Sequence, residues 1–225
     1  HSSGLRRNIA QCLDDFGIPL YLEHTIVEIK GKERVEGVVI AQVDKAKKPI
    51  AGTEREIACD TVLFSVGLIP ENELTKRAGL SLDARTKGCV VDGNRETEIP
   101  GVFACGNVLH VHDLVDFVSE EAEVAGRAAA EYLSAGEREH AYIPTVAGEN
   151  VAYVLPQRAQ RGQDVKLYFR VRSAFRGAVI RVEAGDTLRT YKRIAVAPGE
   201  MENVTVKAAD LVNAQDIRIS VVREA

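Results

Sequence analysis

Two textures of apolar spacing divide the chain. Leu5, Ile9, Cys12, Leu13 and Phe16 recur at three- and four-residue steps, with Ser2 or Ser3 placed to cap and Gly17 to stop, which predicts an opening helix. Extended runs follow over 19–30 and 35–43, parted by the turn signal Gly31-Lys32, and 46–52 is a polar loop. The run 56–66 ends in the unbroken apolar stretch Thr61-Val62-Leu63-Phe64-Ser65-Val66, the texture of a strand covered on both faces in a parallel sheet. Gly67 ends it. A short helix is predicted over 71–78, short strands over 89–91 and 102–105, and a long alanine-rich helix over 116–133 with Phe117, Val124, Ala128 and Tyr132 at helical spacing.

From Val151 the period changes. Val165, Leu167, Phe169 and Val171 alternate with Lys166, Tyr168, Arg170 and Arg172, a period-two pattern. Similar runs over 178–182, 187–196, 202–206 and 217–222 are separated by turn signals such as Gly185-Asp186 and Pro198-Gly199. Six or seven short strands at this spacing predict a β-sandwich. The expected fold class is α/β, built of incomplete Rossmann-like halves, followed by an all-β sandwich-like domain, with divisions at 1–70, 71–144 and 145–225.

Charge agrees with the last division. Residues 1–144 carry 16 basic and 24 acidic side chains, and residues 145–225 carry 13 and 9, within a net charge of −4. The basic excess is read as a solvated face, and no nucleic-acid partner is expected. At 225 residues and 45% apolar, the chain can bury one sizeable core or two modest ones. No stretch reaches the ~20 apolar residues of a membrane span. Cys12, Cys59, Cys89 and Cys105 form no C-x-x-C pair, which argues against a zinc site or redox pair and fits a reducing cytoplasm. The one methionine is Met201, so His1 is not expected to be a translation start, and the chain is expected to continue upstream.

Two segments carry candidate chemistry. Ser65-Val66-Gly67-Leu68-Ile69-Pro70-Glu71-Asn72 closes an apolar run. Some thirty residues later stands Thr97-Glu98-Ile99-Pro100-Gly101-Val102-Phe103-Ala104-Cys105-Gly106-Asn107-Val108. A glycine ending a buried strand lets a ligand approach the backbone, and ligands of open α/β sheets bind beyond the carboxyl ends of strands. In this order and spacing, with the alanine-rich helix behind them, the segments resemble the pyridine-nucleotide/flavin oxidoreductases with two dinucleotide-binding domains, the superfamily that includes thioredoxin reductase. The likeness covers about 4–134. The stretches Phe16-Gly17-Ile18-Pro19-Leu20 and His110-Val111-His112-Asp113-Leu114-Val115-Asp116 are similar to a subgroup of NAD(FAD)-dependent dehydrogenases related to the A subunits of opine and sarcosine oxidases.

The resemblance implies FAD and NAD(P) as cofactors of an intact parent enzyme that passes hydride between them. It places Gly106, Asn107 and Val108 against the flavin, Asn107 standing where the superfamily usually has Asp. Ser119 and Glu120 come near the flavin pyrimidine edge, with backbone contacts favoured over the Glu120 side chain, and Gly67 lies near the nicotinamide. No catalytic acid or base is assigned. His110, His112 and Asp113 are the one local metal-like group, read as a solvated or flavin-shielding loop and not as a metal site. This flavin reading requires 102–105 to end a strand of a parallel sheet and Asn107 to lie near the start of the next helix.

The fingerprint G-x-G-x-x-G, which seats a pyrophosphate on a helix N-terminus, does not occur in the chain. The resemblance calls for it twice, upstream of His1. The chain alone is therefore expected to be inactive and to bind neither cofactor, and to need the missing N-terminal dinucleotide-binding segment as its partner. Open sheet edges would favour a homodimer. The competing expectation is a non-catalytic module whose β-sandwich docks partner oxidoreductase subunits.

Overall fold

Turn chemistry builds the first sheet. The computed structural model describes residues 6–136 and 141–224, which fall into two compact units, His1–Gly67 and Leu68–Ala225. In the first, α1 (Arg6–Cys12) runs into a single 3-10 turn and stops at Gly17, whose φ of 64° is the left-handed cap glycine tolerates. The cap expected at Ser2 or Ser3 lies outside the described residues, as does Leu5. Three antiparallel strands follow: β1 (His24–Lys30), β2 (Gly37–Gln42) and β3 (Arg55–Ala58), with β2 central. Gly31, at φ 110°, turns β1 into β2 where a Cβ would strike the Arg34 carbonyl. Asp44 accepts the amides of Ala46 and Lys48 through one carboxylate oxygen and folds the loop predicted there. Val38, Ile40 and Ala41 of β2 are the buried centre of this sheet.

The apolar run 61–66 corrects the sequence reading. It pairs with no strand among the described residues, and Leu63 and Val66 are 89% and 86% exposed. Its composition suits a doubly covered strand, yet the nearby ladder closes with β3, and a segment without a neighbour does not form a sheet.

In the second unit, α2 (Glu73–Arg77) is followed by two tight reversals. Asp83 accepts the amides of Arg85 and Thr86 and turns Leu82 back against Cys89 in one antiparallel bridge. At 99–102, Pro100-Gly101 makes the second, with Gly101 at φ 76° and the Val102 amide bonded to the Ile99 carbonyl at 3.1 Å. This turn folds 102–104 onto 95–97: Thr97 N–H meets Val102 O at 2.9 Å, and Ala104 N–H meets Arg95 O at 3.0 Å. The segment 102–105 is therefore not a strand of a parallel sheet, as the sequence reading required. It is one arm of a hairpin with a single bridge, Glu96 to Phe103, because the Pro-Gly turn offers 95–97 as the nearest partner. The short strand expected over 89–91 likewise reduces to one bridge.

The long helix α3 (Val115–Ala135) then runs behind the hairpin. Tyr132 packs edge-on against Phe103 at 6.3 Å and sits where a Cβ on Gly101 would stand. Eight strands complete the unit: β4 (Tyr142–Ala147), β5 (Val151–Leu155), β6 (Arg158–Gln160), β7 (Val165–Val171), β8 (Phe175–Ala184), β9 (Thr187–Val196), β10 (Glu202–Val206) and β11 (Ile217–Arg223). They form a three-stranded sheet, β10-β7-β5, and a five-stranded one, β6-β4-β11-β8-β9. The two share one apolar core, with Leu167 and Phe169 from the first sheet and Ile180 and Ile219 from the second fully buried. The one parallel pair among the described strands is β11 with β4. Strands β4, β5 and β6 are not among the runs read from the sequence: β4 contains a proline, and β5 and β6 are five and three residues long.

Candidate functional site

The two sequence motifs meet through one side chain. Asn72, only 4% exposed, donates its amide to the Val108 carbonyl and to the Lys87 carbonyl, both at 2.9 Å. The end of the first motif thereby clips the 3-10 turn Gly106–Val108. Gly106 has φ 75°, a conformation that favours glycine, and a Cβ there would stand 3.3 Å from Val118 Cγ1, a tight contact. Its N–H donates to Glu121 Oε2 at 2.8 Å.

Val118, Glu121 and Ala125 lie on one face of α3, at i, i+3 and i+7. That face meets the turn. Ser119 and Glu120 point elsewhere: both are exposed, and the Glu120 carboxylate takes Lys166 Nζ and the Tyr168 hydroxyl of β7. These partners hold its carboxyl below its ordinary value. The amides of Ser119 and Glu120 lie past the first turn of α3, where free N–H groups end. Gly67, at φ 92°, has open space around its Cα.

Glu121 is the residue that sequence reasoning missed, one place beyond the one it named. Its side chain is inaccessible and sits among four groups. Arg95 Nε donates to Oε1 at 3.0 Å, Gly106 N–H and His112 Nε2 reach Oε2 at 2.8 and 3.0 Å, and His110 Nε2 stands 3.6 Å from Oε1, too long for a good hydrogen bond. Burial alone would raise this carboxyl. The histidine and Arg95 interactions outweigh it and hold Glu121 well below the usual carboxylate range. Since a carboxylate only accepts, His112 carries its proton on Nε2, and its Nδ1 is buried without a hydrogen-bond partner.

The wall behind this cluster comes from the β domain. The Tyr168 ring meets His110, His112 and Phe117 edge-on at 5.7–5.9 Å, and the Tyr153 hydroxyl lies 3.2 Å from His110 Nδ1. Burial pushes both the Tyr168 and the Tyr153 hydroxyl up, and pushes His110 down. Arg170 of β7 binds the Val111 carbonyl and Asp113, whose other oxygen takes the Met201 amide at 2.6 Å. The histidine loop is thus buried, which corrects the expectation of a solvated loop, and Asp113 ties it to β7. His110, His112 and Glu121 offer ligand atoms within 4.8 Å of one another, yet the Glu121 charge is already met by Arg95, which leaves a metal cation a poor electrostatic fit.

One exposed group faces outward from this frame. Asn107 accepts the His112 backbone N–H at 3.1 Å. A backbone N–H can only donate, so the partner atom is Oδ1, and the Asn107 Nδ2 amide points away from that bond as a donor. The Asn107 amide can therefore donate to a ligand oxygen, whereas the side of Gly106 that lacks a Cβ faces Val118 of α3.

Comparison with known proteins adds a frame for these contacts. Residues 1–129, more than half of the chain, match the family model described as pyridine nucleotide-disulphide oxidoreductase. Among curated proteins, the chain is 26% identical over 227 residues to the ferredoxin reductase component of a chlorobenzene dioxygenase from a Cupriavidus strain, covering 90% of this chain and 52% of that protein. It is 25% identical over 181 residues to a nitric oxide reductase FlRd-NAD(+) reductase of Escherichia coli, covering 80% and 44%. It is 30% identical over 162 residues to a dihydrolipoyl dehydrogenase of Pseudomonas aeruginosa, covering 69% and 32%. The chain spans about half or less of the length of these relatives.

Proposed function

Because the chain belongs to the pyridine nucleotide-disulphide oxidoreductase family, we propose that it supplies the later parts of both cofactor sites in an FAD-dependent NAD(P)H oxidoreductase. The observation that carries this reading is the turn at Gly106–Val108, which presents the exposed Asn107 amide as a donor. The family match and the turn geometry support it without the parallel sheet that the sequence led one to expect.

In this reading Gly106, Asn107 and Val108 face the flavin, and Gly67 lies toward the nicotinamide. Residues 1–70 serve the NAD(P) domain, 71–144 the FAD domain, and 145–225 form a β domain that braces the turn. Ser119 and Glu120 act through their place on α3, with Glu120 held by Lys166 and Tyr168. When bound, the flavin would take up hydride from a reduced nicotinamide. What this chain contributes is orientation: Asn107 donates to a ligand oxygen, Gly106 lets the turn pack against α3, and Asn72 and Glu121 keep the turn in place. The names of the relatives, a ferredoxin reductase component among them, support a redox protein or subunit as electron partner. All four cysteines are free, and no described helix is long and apolar enough to cross a membrane.

A second reading has one observation in its favour. Strand β9 lies at the edge of its sheet with Ile194 90% exposed, a surface on which a partner could add a strand. The two readings separate by reconstitution. The chain is expected to purify without flavin absorption. Joined to a segment bearing the G-x-G-x-x-G fingerprint, it is expected to bind FAD and to oxidise NADH or NADPH with ferricyanide as acceptor. Flavin bound by the chain alone would overturn the expectation that it needs the further segment, and no flavin binding or turnover by the joined protein would overturn the enzyme reading.

A further inference from the structure

We propose that Glu121 is the positioning residue of the Gly106–Val108 turn, and that with His112 it fixes Asn107 as a donor toward the ligand; this rests on the reading that the turn faces the flavin. A 3-10 turn begins with N–H groups that have no partner inside it. The first of them here, Gly106 N–H, is buried against α3 and meets a carboxylate at 2.8 Å, a charge-assisted bond of the stronger kind. Gly106 adopts the left-handed region, with the side where a Cβ would stand turned to Val118 of α3, so this amide is directed into the helix face that carries Glu121.

The carboxylate is fixed in turn. Arg95 supplies the one full positive charge at it, from a backbone at φ 67° that Asp92 builds by accepting the amides of Asn94 and Glu96. Asp92 is itself held by Gln160 of β6 and Tyr142 of β4. His112 completes the circuit: its ring donates to Glu121 and its backbone N–H donates to Asn107 Oδ1. The same residue therefore reads the Glu121 carboxylate and sets the direction of the Asn107 amide. Both Glu121 oxygens are occupied and the side chain is inaccessible, so Glu121 cannot touch a ligand. It acts through Gly106 and Asn107.

The consequence for ligand chemistry is specific. An outward Nδ2 calls for an acceptor oxygen on the ligand, whereas an aspartate held by the same His112 N–H would present an acceptor. A ligand hydroxyl can satisfy either group by rotating its proton, so the distinction lies in which partner donates.

The test uses the full-length flavoprotein that carries this chain. Arg95→Met with Glu121→Leu removes both charges without leaving either one buried alone, but it also removes the acceptor of Gly106. FAD affinity is expected to fall about tenfold, the net worth of one such bond. Arg95→Met with Glu121→Gln keeps an acceptor and is expected to stay within about threefold of the parent. Equal FAD affinity in the two double variants overturns the positioning role. Asn107→Leu separates the underlying reading: if it leaves FAD affinity unchanged, the turn does not face the flavin, and if it weakens FAD while the double variants agree, only the role of Glu121 fails. Should a double variant not fold, hydrogen exchange on the unaltered chain decides. The Gly106 amide is expected to be strongly protected, and exchange as fast as that of an exposed loop overturns the proposal.

Discussion

Gly106 and His110 are two residues whose surroundings make them sensitive to small changes. Replacing Gly106 by Ala places a Cβ in the left-handed region and 3.3 Å from Val118 Cγ1. The expected cost is about 1–2 kcal/mol of stability, read from urea unfolding of the chain. Adding Val118→Ala is expected to relieve only the steric part. His110 acts through pH. Burial lowers its pKa from the ordinary 6.5, so the unfolded chain binds a proton there more readily than the folded one. Stability is then full above pH 6.5 and falls as pH drops toward the lower folded value. Glu121, also depressed, adds a further loss below its ordinary 4.5. His110→Gln is expected to flatten the pH dependence of the urea midpoint as pH falls below 6.5. An unchanged slope would show that His110 is not the titrating group.

At the level of elements, local chemistry was legible and pairing was not. The period-two run 165–171 and the period-3.6 run behind Asn107 both became the elements they predict, β7 and α3. Pro100-Gly101 was legible as motif residues, but its reversal of the chain onto 95–97 depended on which partner lay nearest. The stretch 61–66 reads as a buried strand because composition records what a segment tolerates, not whether a neighbour is present. In this chain its side chains are largely exposed. Leu63→Lys is accordingly expected to change the stability of the chain by no more than about 0.5 kcal/mol, whereas a strand buried on both faces would lose several. Glu121 escaped notice for a related reason. A glutamate in a helix rich in glutamate looks solvated until the partner that buries it, Arg95, is brought from twenty-six residues away.

For the molecule as a whole, the second unit is where the redox reading and the stability of the site meet. The β domain closes over the histidine loop with Tyr153, Tyr168 and Arg170, and His112 of that loop holds Asn107, so disturbing β7 is expected to disturb Asn107 as well. The chain matches 52%, 44% and 32% of the length of these three relatives, and the G-x-G-x-x-G grip on a pyrophosphate is not in its sequence. The central claim is that Gly106–Val108 meets the flavin. A crystal structure of the flavin-loaded full-length protein tests it most directly. A flavin oxygen is expected within about 3.2 Å of Asn107 Nδ2, with the Gly106 amide still on Glu121. A flavin held without contact to this turn would contradict the account.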